Sequence, residues 1–363
     1  MGKAATAVRP HRAALILTVL VAAVAALLIL VGKTSAAGGN SITVHNVVSD
    51  GSVPADHVDP NLVNGWGITR GPTTPWWVSD NGTDNSTLYR GDGTIVPLVV
   101  RVEGGPTGTV FNSTTSGFFL NPTAQARFLF VTESGMVRGW NPAVQPTTAV
   151  TAVNRANVHA IYKGLAIAST SDGDRLYAAD FHNARVDVFN GAWKLLNRAG
   201  AFKDPNLPEG YAPFGIQTIG GWVYVAYAKQ DADREDEIAG SGLGIVDVYD
   251  LNGMFLRRAI TGGELNAPWG LALAPDGFGE FAGDLLVGNF GNGLIHAYRV
   301  TASGAYQLHG SLRMTNGSPI VIDGLWGIGF GNGNAAGPTT SLFFAAGPDD
   351  ESHGVFGVIN PSP

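Results

Sequence analysis

The chain has 363 residues, 22 basic against 29 acidic side chains, a formal charge of −7, 50 glycines and no cysteine. The missing cysteines exclude thiol catalysis, disulfide staples and thiolate metal sites. Glycine at no fixed third position excludes a collagen-like chain, and eight tryptophans with seventeen phenylalanines exclude wholesale disorder.

The N-terminus has the pattern of an export segment. Lys3, Arg9 and Arg12 precede an apolar run from Ala13 to Val31, and Ser35-Ala36-Ala37 offers the small residues of a cleavage site. The expected boundary places a signal peptide at residues 1–37 and a single domain at 38–363. A 19-residue run also suits an uncleaved membrane anchor, so both fates stand. Either way the expected location is secreted or extracytoplasmic, with membrane contact only through this segment. Cleavage would remove four of the 22 basic residues and leave 18 against 29 acidic, a charge of −11. Such a chain carries no basic patch for a phosphate backbone, so nucleic acid is not an expected partner.

From residue 65 onward a unit of roughly fifty residues recurs. Its first strand pairs a bulky residue with glycine: Trp66-Gly67-Ile68, Lys163-Gly164-Leu165, Phe214-Gly215-Ile216, Trp269-Gly270-Leu271 and Trp326-Gly327-Ile328. A weaker copy at Ser116-Gly117-Phe118 makes six, with glycines 50, 47, 51, 55 and 57 residues apart. Each copy precedes a second apolar strand, such as Trp76-Trp77-Val78-Ser79, Arg175-Leu176-Tyr177-Ala178-Ala179 or Trp222-Val223-Tyr224-Val225. A polar turn and an alternating third strand follow, as in Arg185-Val186-Asp187-Val188-Phe189 and Ile245-Val246-Asp247-Val248-Tyr249.

Short strands at regular intervals, packed radially, make a six-bladed β-propeller, in which strands converging on an axis need a residue without Cβ. The segment Ser41–Val47 is expected to supply the outer strand of the last blade beside Gly354–Ile359, closing the ring by pairing the two ends of the fold. A β-sandwich is the structural alternative.

In a propeller the loop between second and third strands shares a rim with the entry to the first strand. That rim is expected to gather Asp80, Asn81, Asp84, Glu133, Asp180, His182, Asn183, Lys229, Asn289, Asn292, Asp349, Asp350 and His353, with Asp59, Asn61 and Asn64 within reach. Oxygen ligands from several blades suit a hard cation, so Asp80, Glu133, Asp180, Asn289 and Asp349 form a candidate metal set with Ca²⁺ as the candidate cofactor. Asp and Asn are equally good turn residues. His182 is the candidate catalytic base. His159, His296 and His353 fall in separate repeats and would make a histidine metal site only if the fold gathers them. The acidic stretch Asp231–Glu237 lacks the spacing of an EF-hand, leaving a solvated hairpin, a peripheral cation site or a lid over the axis. No Gly-x-Ser-x-Gly elbow, Walker loop or His-Glu-x-x-His motif occurs.

Asp59-Pro60-Asn61-Leu62-Val63-Asn64-Gly65-Trp66-Gly67-Ile68, followed by Trp77-Val78-Ser79-Asp80-Asn81-Gly82, resembles the opening of a family of exported bacterial propellers. That family is similar to proteins built from NHL-type repeats and has no established activity. Tyr177–Phe189 and Pro268–Ala272 also look like its pattern, so the resemblance spans about residues 42–360. It implies an NHL-like six-bladed fold. At the level of fold analogy only, calcium-dependent lactonases of the gluconolactonase and paraoxonase type share this architecture and an axial metal. The expected function is an extracytoplasmic binding module for a carbohydrate, a cell-envelope component or a protein. The alternative is a metal-dependent hydrolase or lactonase, using His182 or a carboxylate for proton transfer.

Overall fold

The computed structural model describes residues 42–361; the expected signal or anchor at residues 1–37 lies outside the described residues. Twisted antiparallel sheets succeed one another along the chain as six blades. Blade 1 runs outward through Gly65–Thr69, Trp76–Asp80, Asn85–Tyr89 and Ile95–Arg101. Blade 2 uses Pro106–Phe111, Phe128–Thr132, Met136–Trp140 and Val150–Asn154. Blade 3 is three-stranded, Tyr162–Thr170, Gly173–Asp180 and Arg185–Asn190. Blade 4 comprises Tyr211–Ile219, Trp222–Gln230, Ile245–Tyr249 and Phe255–Thr261, and the short strand Glu237–Ile238 adds to its second strand. Blade 5 takes Pro268–Leu273, Leu285–Asn289, Ile295–Val300 and Tyr306–Ser311.

Blade 6 joins both ends of the fold. Leu325–Phe330, Leu342–Ala346 and Val355–Pro361 come from the C-terminal side, and Ile42–Ser49 adds antiparallel as the outer strand, in register from Ile42 opposite Pro361 to Ser49 opposite Val355. The expected closure is present. Without it, Val355–Pro361 would be an unpaired apolar edge.

The ring is drawn together by glycines. A Cβ on Gly67 would strike the backbone of Thr107 and Thr109; one on Gly108, the backbone of Gly164 and Leu165; one on Gly164, that of Phe214 and Ile216. Gly215 meets Trp269, Gly270 meets Trp326, and Gly327 meets Trp66 and Ile68, which completes the circle. The sixth axial glycine is therefore Gly108, not Gly117. Gly117 sits at an outer position against Asp174 and Gly191, beyond an insertion whose small hairpin is Phe119–Asn121 and Ala124–Gln125. The true spacing is 41 residues from Gly67 to Gly108 and 56 from there to Gly164.

Between blades the facing sheets bury apolar side chains in separate clusters. Trp76, Val78 and Tyr89 of blade 1 meet Phe343, Phe356 and Val358 of blade 6; Trp77 stacks on Phe128 of blade 2 at 4.0 Å between ring centroids. Each such side chain stabilises the fold by roughly 1.5–3 kcal/mol. Among the described residues no helix is long and apolar enough to cross a membrane.

Candidate functional site at the axial mouth

The residue preceding each axial glycine points into one layer of the channel. In ring order these are Trp66, Thr107, Lys163, Phe214, Trp269 and Trp326. Three tryptophans and a phenylalanine pack into an aromatic plug. Trp66 stacks on Trp326 at 3.5 Å, Phe290 stacks on the same indole at 4.1 Å, and Trp269 meets both tryptophans edge-on at 6.3 and 5.8 Å. Below the plug the glycine ring pinches the channel to a void of about 40 Å³. It reopens on the opposite rim as a cavity of about 300 Å³ lined by Ile68, Arg70, Gln217, Leu271, Ile328 and Phe330. A separate groove of about 800 Å³ lies on that opposite side between blades 1 and 2, floored by Leu98, Phe111 and Trp77.

Lys163 is the one charge in the plug layer. Its side chain is 1% exposed, and its ammonium lies 5.0 Å over the Trp66 ring. That contact is a cation–π interaction of a desolvated cation. The ammonium donates to Glu133 Oε1 at 2.7 Å and to Asp236 Oδ1 at 3.1 Å. Burial pulls this ammonium toward neutrality, but Glu133, Asp236 and Glu237 outweigh it and hold it above the ordinary lysine range.

Two further carboxyls complete the mouth. Burial pushes Glu237 up to about 8 against the pull of Lys163, and burial pushes Glu351 up to about 7. Both are therefore substantially protonated near neutrality, where they donate as well as accept hydrogen bonds. An amide relay links Glu351 to the ring: Asn64 Nδ2 donates to Glu351 Oε2 at 3.3 Å and to Asn81 Oδ1 at 3.3 Å. Asn81 Nδ2 donates in turn to Glu133 Oε2 at 2.9 Å, and Trp326 Nε1 donates to Asn64 Oδ1 at 3.2 Å. The indole nitrogens of Trp66 and Trp269 are buried without a hydrogen-bond partner.

The mouth loops carry left-handed backbone. Asp349, Asp350 and Glu351 are consecutive left-handed residues, φ 56°, 49° and 65°, and Asn64 is left-handed at 49°. Left-handed non-glycine residues cost on the order of 1 kcal/mol each and concentrate at functional sites. The acidic stretch is a largely exposed hairpin tied in at its end: Asp236 bridges to Lys163, and Glu237 pairs in register with Gln230. It caps the axis.

The candidate metal set is not assembled as one centre. Glu133 joins the mouth, where Lys163 stands as the cation among the carboxylates. Asp80 is wholly buried, on the face of blade 1 that packs on blade 6. Asp180 is occupied by Asn183 at 2.8 Å and Arg185 at 3.2 Å. Asn289 donates to Glu264 O at 2.7 Å and accepts from the Asn266 backbone at 3.1 Å. Asp349 is exposed in its loop. Among the described residues no three His, Asp or Glu side chains are grouped to hold a metal. His182 lies beside His159, ring centroids 6.1 Å apart, with Nδ1 buried and unpartnered. His296 bonds Ser311 within blade 5 and His353 bonds Asp50, so the histidines are not gathered.

Lys163 and Glu351 were not expected at the site, and Glu237 only as part of the acidic stretch that one reading makes a lid over the axis. A signal for the first existed: it occupies the position that four other repeats fill with tryptophan or phenylalanine.

No family model matches the chain. Among solved structures, a glucose dehydrogenase covers 88% of this chain and 100% of its own at 12% identity and TM-score 0.54. A streptogramin B lyase covers 88% and 97% at 14% identity and TM-score 0.51. A Bacteroides thetaiotaomicron protein of unknown function covers 88% and 76% at 11% identity and TM-score 0.55. These likenesses establish the propeller fold alone. In sequence, the uncharacterised protein R648 of Acanthamoeba polyphaga mimivirus is 33% identical over 334 residues, 87% of this chain and 79% of its own. Its L690 counterpart is 31% identical over 339 residues, 87% and 85%. The relatives identified are thus viral rather than bacterial, and the chain belongs to the family that includes R648 and L690.

Proposed function

We propose that this protein is a binding propeller that takes a carbohydrate at its axial mouth. One observation carries the reading: two carboxyls held near neutrality, Glu237 and Glu351, flank the Lys163 ammonium above a floor of three tryptophans. Hydroxyl groups both donate and accept, and protonated carboxyls, side-chain amides and an ammonium answer both roles. Aromatic surface below supplies the apolar part of sugar recognition. Capture requires the Asp236 latch to swing aside, so binding and loop opening are coupled.

A second reading places an acid–base hydrolase or lyase at the same mouth, favoured by Glu237 near 8, a proton donor suited to neutral pH. The metal-dependent lactonase draws less support, because the candidate ligands lie apart. We further propose that residues 1–37 direct export, which N-terminal sequencing of the secreted chain tests. The mouth is tested by a cell-envelope glycan array, followed by calorimetry on the best glycan with the wild type, Lys163→Met and Glu351→Gln. Binding reduced at least tenfold in both variants is expected. Turnover of the glycan would move the account to the enzymatic reading; no glycan bound, or binding indifferent to both substitutions, would overturn it.

A further inference from the structure

Buried carboxylates in this propeller follow a rule with one exception. A charge taken out of water needs a partner. Asp187 has Arg155 and Arg185; Asp204 and Asp247 share Arg258; Asp284 has Arg299 and His309. Asp180 has Arg185, and Asp174 accepts the hydroxyls of Ser116 and Ser169. Asp59, buried without a basic partner, accepts from Asn61 and Tyr89; Asp80, wholly buried, is the exception, with neither a basic partner nor a hydrogen-bond donor in place among the described residues.

The strand register explains how they meet. Asp80 pairs with Asn85 and Val78 with Thr87, so Asp80, Thr87 and Tyr89 project from the same face of blade 1 as Trp76. That face packs on Phe343 and Phe356 of blade 6, the ring-closing blade. Asp59, in the segment leading into blade 1, reaches the same seam: its Oδ2 accepts from Tyr89 Oη at 3.1 Å, and its Oδ1 accepts from Asn61 N and Nδ2 at 3.0 and 2.8 Å. By distance and angle the Asp80 oxygens and the Thr87 hydroxyl have no hydrogen-bond partner among the described residues; Thr87 lies beside Asp80, and burial, with Asp59 nearby, raises the Asp80 carboxyl well above the ordinary carboxylate range.

We propose that Asp59, Asp80, Thr87 Oγ1 and Tyr89 Oη hold a divalent hard cation, Ca²⁺ by its all-oxygen donors, in the seam where the ring closes. Two carboxylates balance the charge, and water or backbone carbonyls complete the shell. Only two acids are involved, and the site lies within a blade seam, away from Lys163. Its role is to pin blade 1 to blade 6.

Elemental analysis of the purified chain by mass spectrometry, with thermal unfolding before and after chelation, tests this. About one calcium per chain is expected, with a lowered Tm in chelator that added Ca²⁺ restores. Asp80→Asn is expected to lose the metal and the chelator response, while Lys163→Met keeps both. Should Asp80→Asn not fold, Tyr89→Phe serves, with metal retained less tightly on dialysis. A metal-free wild type indifferent to chelator, with Asp80→Asn as stable or more stable, would mean a proton on Asp80 and would overturn the proposal.

Discussion

Lys163 shows how one substitution inside a repeat changes what the repeat can do. At five equivalent positions the channel layer is aromatic or threonine; the sixth carries an ammonium that cannot reach water and so recruits carboxylates from three loops. Those carboxyls make stability depend on pH in an unusual direction. Glu237 and Glu351 move from an ordinary 4.5 up to about 8 and about 7, so between those values the folded chain holds more protons than the unfolded chain. Stability therefore falls as pH rises through that window. Glu351→Gln keeps the shape without the titration. Relative to wild type it is expected to gain on the order of 1 kcal/mol at pH 8, after allowance for partial exposure, and nothing at pH 4. Urea unfolding at the two pH values checks this; a variant equally shifted at both would contradict it.

At the scale of elements, the axial strands tolerate no side chain where they converge. Gly108→Ala is expected to destabilise by about 3 kcal/mol or more, because its Cβ would meet the main chain of blade 3, which cannot move without opening the ring. An urea midpoint unchanged by this substitution would return the axial position to Gly117. This is also where the sequence was hardest to read. Thr107-Gly108 lacks the aromatic mark of the other copies, and the insertion around Phe119–Gln125 brings Gly117 close to a fifty-residue spacing by coincidence. The second strands were legible in every repeat and the third in blades 3 to 6, because alternating β-branched and aromatic residues leave few other conformations; Asn85–Tyr89 and Met136–Trp140 lack that mark.

The rim could be assigned from topology, since loop position follows strand order. Which side chains converge could not, because that depends on channel radius and on local ion pairs. Asp180 and Asn289 look like ligands in sequence, yet Arg185 and the backbone around Glu264 and Asn266 occupy them.

For the whole molecule, closure by Ile42–Ser49 ties stability to both ends of the fold. A chain truncated before residue 50 is expected to lose cooperative unfolding and to self-associate through the exposed Val355–Pro361 edge. Sharp, concentration-independent melting of that truncation would show that the five remaining blades and an open sixth suffice. The same closure brings Lys163 and the loops above it together as one electrostatic unit. Carboxyl-detected NMR titration of Glu237 and Glu351 probes that unit most directly. Midpoints near 8 and 7 are expected, both held or raised further when a bound glycan accepts hydrogen bonds from the protonated carboxyls. Ordinary glutamate midpoints in the unliganded chain would mean an open, solvated rim and would contradict a built site at the axis.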